Sequence, residues 1–179
     1  AKELLKPVPI IEERSQIPGS DDWSWPKGTH RVLRQVLSRR EIKSPSEMNL
    51  SLSGLRPVGE FQALDKGVDL MIRHKDSRIT IVGDFDADGA TSTALMVICL
   101  RSFGFSDVSF FIPDRFELGY GLTTELVDQL RIKKPGLIVT VDNGVTSVAG
   151  VATARKLGID VLVTDHHLPG AELPVANVI

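Results

Sequence analysis

Residues 79–90, ITIVGDFDADGA, decide how this chain is read. Four β-branched residues lead into a glycine and then into three acids spaced two apart, Asp84, Asp86 and Asp88. The same plan returns at 137–145, LIVTVDNGV, which ends on Asp142, and at 161–170, VLVTDHHLPG, which ends on Asp165 with His166 and His167 behind it. The apolar runs are continuous rather than alternating, the pattern of strands buried on both faces. Between them lie helix-like stretches. The reading places strands at 79–84, 107–112, 137–142 and 159–164, and helices at 89–103, 123–132 and 146–157. Alternating strands and helices imply an α/β fold, a parallel sheet with right-handed crossovers and flanking helices.

In a parallel sheet every strand ends on the same edge, and ligands bind in the crevice that the strand-to-helix loops form there. Acids distant in sequence are thereby gathered. Several carboxylates in one pocket must either hold protons or be neutralised by cations. Oxygen donors suit magnesium or manganese, and imidazole shifts the preference toward manganese, cobalt or zinc. A carboxylate bridging two divalent ions is an established arrangement for phosphoryl hydrolysis. Gly89 and Gly144 follow acids at points where backbone would approach a ligand closely. A helix beginning near Gly89 would offer free N–H groups to a phosphate. Alone, each acid reads as a helix cap or a turn residue. Their recurrence at three strand ends is what favours a metal centre. A calcium loop starting at Asp84 needs an acid at its twelfth position, which is Leu95. A phosphoacceptor receiver domain needs a late lysine, and none follows Lys156. A binding module with a vestigial site is the remaining rival.

The rest of the chain is read more coarsely. Pro7, Pro9, Pro18, Gly19 and Pro26 mark an arm with little regular structure. At 29–43 a helix carries Val32, Leu33, Val36 and Leu37 on one face. Six Lys or Arg against one Glu lie between 27 and 43. That basic face is either merely solvated or a phosphate-tracking surface. Ser44 and Pro45 look like a helix start. The segment 60–75 spaces Phe61, Leu64, Val68, Met71 and Ile72 as a helix face. Trp23 and Trp25 read as anchors of the arm or as base-stacking residues. Phe103, Phe105, Phe110 and Phe111 are expected in the core. The net charge of −2 gives no bulk nucleic-acid signal. No apolar run is long enough to span a membrane. The first residues lack a signal-peptide core. With Cys99 the single cysteine, the expectation is a cytoplasmic protein.

The segments VGDFDADGATSTAL (82–95), VTVDNG (139–144) and VTDHHLPG (163–170) resemble, in order, the first three motifs of the DHH phosphoesterase superfamily. Asp165–His166–His167 resembles the motif that names it. The linking segment IPDRFELGYGL (112–122) and the helical preface resemble the RecJ branch, bacterial single-strand-specific 5′-to-3′ DNA exonucleases. The resemblance implies a preface at 1–59 and the N-terminal part of a catalytic domain at 60–179. It implies two Mn²⁺ or Mg²⁺ ions held by Asp84, Asp86, Asp88, Asp142, Asp165 and His166, with Asp142 shared by both. His167 would act in catalysis with Asp142 or contact the scissile phosphate. Arg115, Tyr120 and Gly89 would face the substrate. Some members carry His where this chain has Val82, so Asp84 would take that place. A fourth motif with a further acid is expected beyond Ile179, so this stretch is expected to bind metal weakly and to hydrolyse nothing alone. Implied partners are single-stranded DNA and, around it, a helicase or a single-strand-binding protein. A family member acting on short oligonucleotides or small phosphorylated substrates is the alternative.

Overall fold

The computed structural model describes residues 15, 25–42, 44–61 and 63–179. Most of the proline-rich arm, Trp23 included, lies outside the described residues. The chain divides into two compact units, Ala1–Val58 and Gly59–Ile179.

In the first unit α1 spans Arg31–Ser38. Its N-terminus is capped by the His30 ring, whose Nδ1 accepts from the Val32 N–H at 3.2 Å. Val32, Leu33 and Val36 remain exposed. Ser44 and Pro45 do start a helix, a short 3₁₀ helix at Pro45–Met48 with Ser44 as its cap and Pro45 at its first position. The Ser44 N–H donates to Glu47 Oε1 at 3.0 Å. The residues that follow, Asn49, Ser51 and Ser53, spend their side chains on local bonds that compete with a helix.

The second unit holds the sheet. Its elements are α2 (Leu64–Arg73), β1 (Ile79–Val82), α3 (Ala87–Ser102), β2 (Val108–Phe111), α4 (Arg115–Leu118), α5 (Thr124–Leu130), β3 (Leu137–Val141), α6 (Val148–Lys156) and β4 (Asp160–Thr164). The strand order is β2-β1-β3-β4 and every pairing is parallel. The register sets Val82 beside Thr140, and Val141 beside Thr164. Asn177 and Val178 begin to pair along the outer side of β4. The short α4 falls in the linking segment, where sequence patterning marked no helix.

From β1 the chain moves outward to β2, then returns past β1 to β3. Right-handed crossovers in opposite directions put their helices on opposite faces. One face packs α3 and α2 through Leu70, Val97 and Leu100 against Ile79, Ile81, Leu137, Val139 and Leu162. The other packs α5 and α6 through Leu126, Leu130 and Val151 against Val82, Ile138, Val161 and Val163. Burial on both faces is what the continuous apolar runs encode.

The helix expected within 60–75 forms over Leu64–Arg73. Phe61, Leu64, Val68 and Ile72 are exposed, Met71 packs partly against the core, and α2 buries Gly67 and Leu70. The glycine lets that side lie near the sheet, at Leu162. Phe103 and Phe110 are largely exposed, whereas Phe105 and Phe111 pack against the two cores. Phe103 ends its helix, and Phe110 lies on the outermost strand, where fewer neighbours cover a side chain.

Candidate metal centre

The reversal between β1 and β3 opens a crevice at their C-terminal ends. Asp84 and Asp86 enter it from the β1 loop, Asp142 from the end of β3, and His166 and His167 from the loop after β4. Ligand atoms of Asp84, Asp86 and Asp142 lie within 4.8 Å of one another. So do those of Asp142, His166 and His167. Asp142 is common to both sets.

Asp142 sits in left-handed backbone, with φ +61°. For a residue other than glycine that conformation is costly and marks a functional or strained position. Its Oδ1 accepts from His166 Nε2 at 2.8 Å. Its Oδ2 is buried with no protein partner. Burial, with help from the charge of Asp86, pushes the Asp142 carboxyl above its ordinary range, and His166 opposes the shift. Asp86 lies below the range, chiefly because the Gly89 N–H donates to its Oδ1 at 3.1 Å. The pair is therefore biased so that any shared proton rests on Asp142.

Three carboxylates this close repel one another. Among the described residues, the one arginine or lysine bonded to this trio is Arg115. Its Nη2 donates to both oxygens of Asp84, at 3.2 and 3.1 Å. Its guanidinium lies 3.7 Å over the Phe85 ring and 5.5 Å from the Tyr120 ring. Charge is left uncompensated and one buried oxygen has no partner. The carboxylates are donors that manganese or magnesium accepts, and the two imidazoles tilt the set toward manganese; these residues fit such ions.

His167 is held from behind. Its Nδ1 donates to Asp165 Oδ1 at 2.8 Å, and that bond raises its pKa. Tyr120 meets it edge-on, with the hydroxyl 3.5 Å from Nδ1. Burial and the surrounding Asp165, Asp84 and Asp142 push the Tyr120 phenol up. Burial also raises Asp165, but the N–H groups of Val145, His167 and His166 outweigh it and leave the carboxyl low.

Some of the residues expected in the site lie outside these two sets. Asp165 belongs to neither ligand set; both its oxygens are engaged by the loop and by His167. Asp88 is absent from both sets too. A spacing of two aligns side chains on a strand, but here the chain has already turned into α3, where two residues are about 200° apart. The helix starts at Ala87, ahead of Gly89, so the Gly89 N–H is not free for a phosphate. A Cβ on Gly89 would lie 2.3 Å from the Asp84 carbonyl oxygen. One on Gly144, where φ is +115°, would lie 2.3 Å from Thr140 Oγ1. Both glycines make room for the chain's own atoms rather than for a ligand.

Sequence reasoning passed over Asn143 and Phe85. Asn143 is fully buried, and its Nδ2 donates to the Val82 and Val141 carbonyls at 3.0 and 2.9 Å. It ties together the strand ends that carry Asp84 and Asp142. Alone, Asp-Asn-Gly reads as a turn, which hides this role.

Comparison with known proteins agrees with this geometry. Residues 78–179 match the family model described as DHH family, N-terminal domain. The single-stranded-DNA-specific exonuclease RecJ of Escherichia coli is 49% identical over 150 residues, covering 83% of this chain and 26% of that protein. RecJ of Haemophilus influenzae is 42% identical over 180 residues, covering 99% and 29%. The crystal structure of exonuclease RecJ bound to manganese superposes with a TM-score of 0.60 at 38% identity, covering 66% of this chain and 31% of that one. The chain thus spans about a quarter of the length of the curated relatives it matches. With the motifs in order, the parallel sheet in place and the family model matched over most of the second unit, this chain belongs to the DHH family.

Proposed function

We propose that this chain contributes the metal-binding part of a phosphodiesterase that degrades single-stranded DNA from the 5′ end with manganese or magnesium. One observation carries the reading: Asp142 is shared by two adjacent ligand sets, with one buried oxygen still without a partner. Similarity to RecJ exonucleases supports the substrate class. Asp84, Asp86 and Asp142 would hold one ion, and Asp142, His166 and His167 the other. Bound ions would supply Lewis acidity and an activated water. The chain's own residues do the rest. Asp165 orients His167 through its bond to Nδ1. Arg115 keeps Nε and Nη1 without an acceptor among the described residues, ready for a phosphate oxygen. Tyr120 closes the side of the crevice against His167. No described helix is long and apolar enough to cross a membrane. Placement in the cytoplasm, and work alongside a helicase or a single-strand-binding protein, belong to this proposal.

Manganese titration followed by electron paramagnetic resonance tests the centre. Two ions should bind, and Asp142→Asn should weaken both together, about tenfold or more each. Loss of one ion with the other unaffected would overturn the shared-ligand reading. Digestion of 5′-labelled single-stranded DNA against duplex and dinucleotide, by the whole phosphodiesterase to which this chain contributes and by its Asp142→Asn variant, tests the substrate class. Preference for the dinucleotide would favour a small-substrate phosphodiesterase instead.

A further inference from the structure

We propose that Phe85 is a positioning residue: its ring sets the plane in which Arg115 meets a substrate phosphate. The inference rests on the phosphodiester reading above and assigns a role to a residue between two metal-type acids that is not itself a ligand.

The guanidinium of Arg115 is held along one edge and on one face. Along the edge, Nη2 alone makes both bonds to Asp84. Bonds through a single nitrogen leave the group free to rotate about the line to that carboxylate. A planar fork discriminates a phosphate only when its plane is fixed. The contact with Phe85, with the guanidinium carbon 3.7 Å above the ring centre, removes that freedom. Tyr120, at 5.5 Å, is the more distant of the two ring contacts. Asp114 steadies the loop by accepting from the Phe116 N–H at 2.9 Å, but it touches the backbone and not the guanidinium.

Phe85 is 53% exposed. Its neighbours in sequence, Gly83 and Asp84, are buried. An apolar ring left half in water at a crevice of acids is poorly explained by packing. It is well explained by a cation that the ring must face. Because Asp84 and Phe85 are consecutive, one turn of backbone delivers both the counter-charge and the stacking surface. Arg115 is thereby registered to the metal-type ligands to within the rigidity of that turn.

Two measurements on the full chain, with magnesium present, test this. The first is side-chain ¹H–¹⁵N relaxation of the Arg115 Nε–H group. It should be rigid in wild type, mobile in Phe85→Ala, and rigid again in Phe85→Trp, which keeps a ring face. A merely structural Phe85 would shift the melting point without this pattern. Unchanged rigidity in Phe85→Ala overturns the proposal. The second is binding of a thymidine dinucleotide, which carries the internucleotide phosphate, against thymidine, which carries none. Phe85→Ala should weaken the dinucleotide about twofold to thirtyfold, the range expected from a lost cation–π contact. It should leave thymidine nearly unchanged, and have no added effect in an Arg115→Ala background. An effect that persists in that background would mean that Phe85 stacks on a base directly, and would overturn the role through Arg115. If wild type binds thymidine as tightly as the dinucleotide, the phosphodiester reading fails, while the relaxation arm still decides whether Phe85 holds Arg115.

Discussion

Asn143 shows how much a single buried amide can do. It joins two strand ends by donating to two carbonyls, while its own Oδ1 is buried without a partner. Replacing it with Ala removes both donations and opens a small void beside Asp142. The expected cost is about 2–3 kcal/mol, the size of two lost buried bonds. Urea denaturation should show a lower midpoint, and manganese affinity should fall with it because Asp84 and Asp142 lose their common tether. A midpoint within error of wild type would show that the sheet ladder alone holds the two strand ends. Phe85 and Arg115 make the complementary case. Their contact is at the surface of the crevice, so changing it should disturb recognition far more than folding.

Among the elements, α3 is where local preference and tertiary demand disagree most clearly. Gly89 lies in its first turn. In an isolated helix Gly→Ala is stabilising by about 1 kcal/mol. Here the added Cβ would lie 2.3 to 2.6 Å from the backbone of Asp84, which cannot yield as a flexible side chain would. Overpacking of this kind costs about 1–3 kcal/mol or more, so the steric term should win. Gly89→Ala is expected to unfold at lower urea and to bind manganese more weakly, since any relief must move Asp84. Equal or greater stability would show that the strand-to-helix turn is softer than its contacts imply. The helix α2 differs: its buried side is built on Gly67 and Leu70, while Leu64, Val68 and Ile72 stay exposed.

For the molecule as a whole, the edge opposite the metal-type cluster is closed by charge. Asp160, at the start of β4, bonds His74 Nε2 at 2.9 Å and Asn177 Nδ2 at 2.8 Å, and pairs with Arg155. This joins the end of α2, the end of α6 and the segment beginning to pair with β4. Burial alone would raise the Asp160 carboxyl, but the bonds from His74 and Asn177 and the charge of Arg155 bring it below its ordinary value. A depressed carboxyl contributes stability that is complete above its unfolded value, about 3.9, and is lost as pH falls through the lower folded value. Asp160→Asn should therefore cost stability at pH 7, about 1–2 kcal/mol after allowing for partial exposure. The gap from wild type should shrink as the pH drops below about 4. A gap that is constant from pH 7 to pH 3 would assign the cost to hydrogen-bond geometry rather than charge.

The apolar runs at 79–82, 137–141 and 161–163 determined the strands, because burial on both faces leaves no alternation to misread. Alternation with helices then determined the parallel sheet, and a parallel sheet places Asp84, Asp142 and the His166–His167 pair on one edge. Sequence alone went that far because these are consequences of pattern. The strand order, with its reversal between β1 and β3, was decided only by tertiary packing, and it is that order which makes Asp142 common to two ligand sets. Tertiary structure also turned Asp88 away from the cluster and moved Asp165 behind His167. It turned Phe61, Leu64, Val68 and Ile72 outward and set Phe85 under Arg115. The physical reason is common to these cases. Residue type and spacing fix which side chains share a face of an isolated element, but the face that is buried, and the partner a polar atom finds, depend on what the rest of the chain brings against it.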